Sequence, residues 1–190
     1  TTLPDLPNVE EAYIGFLSGP EYLKLIETED GDIITSIFYD NIRHWQDWNP
    51  VNKEIRETLT NESKRPYFPL FNNGITIIAK DIRATGNRFA IEDYQIVNGC
   101  QSSFVLHDSR EQISDDTQIP IRLISTTDLE VRNDIIKATN RQTQVSDEQL
   151  FALSEFPKKL EVYFSSHQAS RKLYFERRSR QYNSVEGIEK

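Results

Sequence analysis

The sequence predicts an α+β fold: a small mixed β-sheet flanked by helices. Short apolar or β-branched runs at 75–79, 94–97 and 120–125 read as strands. Stretches with apolar residues four apart, such as Val51, Ile55 and Leu59, read as helices. The two kinds follow one another without the strict strand–helix–strand rhythm of a parallel sheet. No internal repeat or low-complexity tract is present.

Pro4 and Pro7 give residues 1–8 the character of a linker. Pro20 suits the first turn of a helix carrying Tyr22, Leu23, Leu25 and Ile26. Asp30, Gly31 and Asp32 form a turn, and the β-branched and aromatic run 33–39 predicts a strand. Asn49 caps a helix with Pro50 at its first position. After the strand at 75–79, Thr85, Gly86 and Asn87 predict a hairpin turn leading to 89–91. The strand 94–97 precedes a helix from Ser102 to about Asp108. Thr127 or Asp128 caps the next helix, which runs through Ala138. Ser146 with Gln149 fits a capping box ahead of Leu150, Leu153 and Phe156, before Pro157 starts a fresh turn. Leu160, Val162, Tyr163 and Phe164 hold a helical register, and 173–175 reads as extended. Residues 1–39 are thus expected to hold a linker, a helix and a strand continuing from a longer protein, and 40–190 a core domain.

With 37% hydrophobic residues, 10 Phe, 8 Tyr and 2 Trp, the 190-residue chain can build a real core. A net charge of −8 argues against a nucleic-acid footprint spread over the whole domain, while leaving room for a local basic patch. The single Cys100 permits no intramolecular disulfide, which points to a reducing, cytoplasmic compartment. No apolar run approaches the ~20 residues of a membrane span, and no signal peptide is visible. The chain contains no Met, so it is expected to be a piece of a longer protein.

Four segments place Asn, Gln, Arg or Gly directly after an apolar element, where scaffolds present sites. Asn72-Asn73-Gly74 precedes a strand and is either a turn or a place where backbone approaches a ligand. In Asn98-Gly99-Cys100-Gln101-Ser102-Ser103 a strand gives way to a helix start, whose unpaired amides attract anions. The glycines of a dinucleotide fingerprint and the Gly-Lys-Ser/Thr of a P-loop are both missing. Asn140-Arg141-Gln142 ends a helix; Asn140 suits a C-cap, and the Arg141 guanidinium can grip phosphate with two donors. Glu176, Arg177, Arg178 and Arg180 form the strongly basic run, with Tyr174 and Tyr182 available to stack on a base. That run is either a solvated charged face or a phosphate contact. His44, His107 and His167 lack metal-ligand spacing, and Cys100 reads as a packing residue.

Taken as an ordered series, these motifs resemble the AIPR family, the abortive-infection phage-resistance proteins of bacteria. The matching stretches are 71–77, 95–103, 138–142 and 174–182, with Asn41-Ile42-Arg43 and Asn52-Lys53-Glu54-Ile55 fitting the start of the pattern. The resemblance covers about 40 to 182 and implies an AIPR-like core over 40–190, a phage-derived trigger and other domains of the same protein as partners. A looser similarity links the chain to ParB-like and sulfiredoxin-like domains, with 97–101 and 138–142 standing at their two site turns. It implies a nucleotide or phosphate pocket between those turns; the cofactor is left open, a nucleoside triphosphate with Mg²⁺ being one candidate. Two departures matter: Gln101 or Ser102 stands where Arg is usual, so a charged phosphate grip is missing, and Thr139 stands where Glu is usual.

Three functions follow in order. The first is a domain of an anti-phage defence protein that binds nucleotide or nucleic acid through Asn72, Asn73, Gly74, Asn98, Gly99, Gln101, Ser102, Ser103, Asn140, Arg141, Gln142, Arg177, Arg178 and Arg180. The second is a nuclease or nucleotide hydrolase with Glu176 as base or metal ligand and the adjacent arginines stabilising charge. The third is a sensing module for a phage protein.

Overall fold

The computed structural model describes residues 2–3, 5–41, 45–140, 151–152, 154–166, 173–178 and 181–182. Along the chain run β1 (Glu11–Ser18), α1 (Gly19–Ile26), α2 (Pro50–Thr60), α3 (Phe68–Phe71), β2 (Ile75–Ala79), β3 (Asp81–Thr85) and β4 (Arg88–Glu92). β5 (Gln95–Asn98), α4 (Cys100–Asp108), β6 (Gln118–Ser125), α5 (Leu129–Asn140) and α6 (Glu155–Ser166) follow. Four strands form one mixed sheet in the order β1-β6-β2-β5, and β3 and β4 form a separate hairpin. β6 pairs with β1 antiparallel and with β2 parallel; β5 closes the other side of β2 antiparallel. The α+β expectation therefore holds.

β2 explains its own composition. All five of its residues are buried, because both faces of this strand are covered. Ile75 and Ile77, with Ile96 of β5, join Tyr22, Leu59 and Leu106 in the main core. On the opposite face Ile78 and Val97 pack against Ile136 of α5. α1, α2 and α4 thus lie over one face and α5 over the other. The amino-terminal elements belong to this same body: β1 pairs with β6 along its full length, and the Tyr22 hydroxyl meets Ser103 Oγ at 2.6 Å inside the core.

The structure departs from the sequence reading in five places. β1 was not foreseen; its outward residues Ile14 and Phe16 are exposed, so it lacks the clean polar alternation of a half-buried strand. The run 33–39 is not a strand: Ile33 makes a single bridge to Glu27 and Thr35–Phe38 forms a 3-10 turn. The sheet position beside β6 is already taken by β1, and this run instead buries Ile37 and Phe38 one by one. Residues 2 and 3 are more than linker, since the Leu3 amide donates to the Ala12 carbonyl at 2.9 Å. Pro157 lies inside α6 rather than ahead of it, in the first turn, where its missing N–H is not needed. Asp128 is the cap of α5: its Oδ1 accepts the amides of Glu130 and Val131, both at 2.9 Å. The stretch 173–175 is irregular. The expected capping box at Ser146 and Gln149, with Leu150 and Leu153, lies outside the described residues.

A buried ionic clamp ties distant segments together. Asp40 accepts from Arg132 of α5 and, at 2.8 Å, from Lys158 of α6. Burial alone would raise the Asp40 carboxyl, but the hydrogen bond from Lys158 and the charge of Arg132 outweigh it and hold it below the ordinary carboxylate range. Glu161 is likewise held low: burial opposes ionisation, and the bonds from Arg177 and Gln181 overcome it. A group depressed in the folded state stabilises the fold above its unfolded pKa and loses that contribution as pH falls through the folded value. Urea unfolding should therefore show stability dropping on acidification below about pH 4. The drop should be shallower in Asp40→Asn, which starts lower at pH 7; identical pH profiles would refute this role for Asp40.

Candidate functional site

The β5–α4 turn is built by one glycine. Gly99 has φ +100°, in the left-handed region, and a Cβ there would lie 2.8 Å from Ile75 Cγ1. Gly74 is constrained in the same way, with φ +78° and the Pro120 carbonyl 2.8 Å from where a Cβ would sit. The two turns are therefore pressed side by side at one end of the sheet. Two reciprocal amide bonds bring in α5: Asn98 Nδ2 donates to the Thr139 carbonyl at 2.9 Å, and Asn140 Nδ2 to the Val97 carbonyl at 3.0 Å. From the other side, Gln101 Oε1 accepts from the Gln46 amide at 3.1 Å and from Asn52 Nδ2 at 2.9 Å, fastening α4 to the start of α2.

The result is an open cleft of about 730 Å³ between α2, the α3–β2 turn, the β5–α4 turn and the end of α5. That lies within the range of small-ligand sites, ~300–1,000 Å³. Asn72, Asn73, Gly74, Asn98, Gly99 and Gln101 all line it, as do Ser102 and Asn140. Three motifs separated by tens of residues thus meet in one place. Among the described residues no side chain caps the first turn of α4; anions are stabilised at such a helix start. Cys100 lies beneath this turn, buried, and burial pushes its thiol up to about 12 against the opposing charge of Arg178. It is a packing residue, protonated at neutral pH.

The other expected site residues sit elsewhere. Ser103 is fully buried, bonded to Tyr22 and to the Gly99 carbonyl at 2.8 Å, on the core side of α4. Arg177 and Arg178 are only 6% and 9% exposed and do not line the cleft. Arg177 donates to Glu161, to the Ala152 carbonyl and to the Tyr39 carbonyl, and lies over the Tyr39 ring at 4.3 Å. Arg178 donates to the Phe38 carbonyl at 3.0 Å. Far from being a solvated face, these arginines close the clamp around residues 38–40. Glu176 is exposed, and its carboxylate accepts the Gln181 amide at 3.1 Å in the adjacent turn. Arg141, Gln142 and Arg180 lie outside the described residues.

Sequence reading missed the α2 wall. Gln46, Asn49 and Asn52 line the cleft, and so does Phe71. Asn49 was legible only as the cap it is, its Oδ1 accepting the Asn52 amide at 2.9 Å. Glu54, Glu57 and Lys64 are the acidic and basic side chains among the described lining residues, and Lys64 Nζ is paired with Glu57 at 2.6 Å. A triphosphate carrying several negative charges finds no unpaired cation in that lining, so the described residues do not fit a nucleoside triphosphate with Mg²⁺. Among the described residues no group of three or more His, Cys, Asp or Glu side chains could hold a metal ion, and no helix is long and apolar enough to cross a membrane.

Fold and site together define an α+β domain with an amide-lined cleft at the strand and helix ends of its sheet. The family model for AIPR proteins matches residues 38–189, and the chain belongs to that family. The membership points to anti-phage defence by abortive infection. Searches of the curated proteins and of the solved structures returned no match.

Proposed function

We propose that the cleft binds a nucleotide or a nucleic-acid strand, and that this binding serves abortive-infection defence in the cytoplasm. The observation that supports the reading is the meeting of the 72–74, 98–102 and 140 segments around one cleft of about 730 Å³, with the uncapped start of α4 opening on it. A nucleotide needs a place for one phosphate and polar groups for its base and sugar. The helix start supplies the first and the surrounding amides the second.

Asn73 and Ser102 give the clean test, because both line the cleft and neither side chain has a hydrogen bond to the described residues. Asn73→Ala and Ser102→Ala should each weaken binding of short single-stranded oligonucleotides about tenfold in low-salt calorimetry, the loss of one hydrogen bond of ~1.4 kcal/mol. Thermal stability should not change. If no nucleotide, DNA or RNA binds at low salt, the proposal fails.

A further inference from the structure

The direction of the cleft's amides says which part of a nucleic acid it reads. Asn72 Nδ2 donates to the Phe68 carbonyl at 3.1 Å, and Asn98 and Asn140 turn their nitrogens to backbone carbonyls as well. Asn52 Nδ2 is held by the Asp47 carbonyl at 2.5 Å and by Gln101 Oε1. Carbonyl partners can only accept, so these orientations are fixed by chemistry. What is left over in each case is the Oδ1 oxygen. Among the described residues no donor reaches Oδ1 of Asn72, Asn98 or Asn140. Asn52 Oδ1 is buried without a partner on a residue that is 0% exposed and lies out of a ligand's reach, so the acceptors on offer are those of Asn72, Asn98 and Asn140. Beside the donors of Asn73, Ser102 and the α4 start, the cleft therefore presents a row of acceptors, and a chain of phosphates, itself made of acceptors, cannot satisfy that row. Donors on a ligand can.

An aromatic shelf borders these oxygens. Phe71 lines the cleft yet is 61% exposed, and Tyr67 stacks on it with ring centroids 6.0 Å apart. Exposed aromatic faces of this kind carry nucleobases. Resting on the nucleic-acid reading above, we infer that the cleft takes a single-stranded nucleic acid one base at a time. The base stacks on Phe71, its exocyclic amino group donates to the asparagine oxygens, and one phosphodiester sits at the start of α4. Cytosine offers an N4 amino donor where uracil offers an O4 acceptor, so the site discriminates between them.

Binding of dC5, dU5, rC5 and cytidine triphosphate is compared through the fluorescence of Trp45 and Trp48, which flank the cleft residue Gln46. dC5 should bind at least tenfold tighter than dU5 and tighter than the triphosphate, and rC5 binding as tightly as dC5 extends the inference to RNA. Phe71→Ala should weaken dC5 about tenfold with an unchanged thermal midpoint. Equal affinity for dC5 and dU5, or tighter binding of the triphosphate, overturns this inference and leaves the nucleic-acid reading standing. An unchanged dC5 affinity in Phe71→Ala overturns the stacking shelf. Absence of binding by all four removes both.

Discussion

Arg177→Ala should destabilise the fold by about 3–5 kcal/mol, the loss expected when one partner of a buried ion pair is removed. Each of the three Arg177 guanidinium nitrogens donates: Nε to Glu161 at 2.8 Å, Nη1 to the Ala152 carbonyl at 3.0 Å and Nη2 to the Tyr39 carbonyl at 3.1 Å. Truncation leaves Glu161, whose side chain is 11% exposed, without its cation, and orphans two carbonyls. The midpoint should fall by roughly 10 °C or more for a domain of this size. Arg177→Ala with Glu161→Gln should recover part of the loss, because no uncompensated charge is then left buried. A single-mutant cost below about 1 kcal/mol in urea unfolding would show that the clamp contributes little. Because Arg177 does not line the cleft, the stably folded fraction should still bind oligonucleotide.

Gly99→Ala should cost about 3 kcal/mol, from the left-handed backbone and from overpacking against β2. The added Cβ would stand 2.8 Å from Ile75 Cγ1 and 3.2 Å from Ile75 Cα. A side-chain carbon can rotate away; the backbone carbon cannot without moving β2. Gly86→Ala is the control, since φ is +61° there but nothing lies within 4 Å of the new Cβ. It should cost only about 1 kcal/mol, the backbone part alone. If the two variants unfold at the same urea concentration, the close approach at Gly99 does not matter. Oligonucleotide binding should weaken in Gly99→Ala and not in Gly86→Ala, because only Gly99 holds the α4 start against the 72–74 turn.

The turns of the cleft were legible because local chemistry writes them. Asn49, Gly74, Gly99 and Asn140 each satisfy a requirement of the few residues around them, a cap, a positive φ or a helix end. The arginine run misled because a charged stretch looks the same in sequence whether water or protein surrounds it. Arg177 and Arg178 are buried by partners at Tyr39 and Phe38, some 140 residues earlier, and no local pattern records such a pairing. β1 escaped notice because an edge strand buries too little of its face to alternate cleanly.

The α+β class, the core strands β2, β5 and β6, the Asn49 cap, the glycine turns and the family can all be read from the chain alone. Each of these follows from spacing, backbone conformation or an ordered set of motifs within a short window. Which motifs share a cleft, which arginines lie buried and which way the asparagine amides point depend on how distant elements pack. The direction of an amide is set by the carbonyl it meets, and Val97 and Asn140 meet only once β5 and α5 have packed.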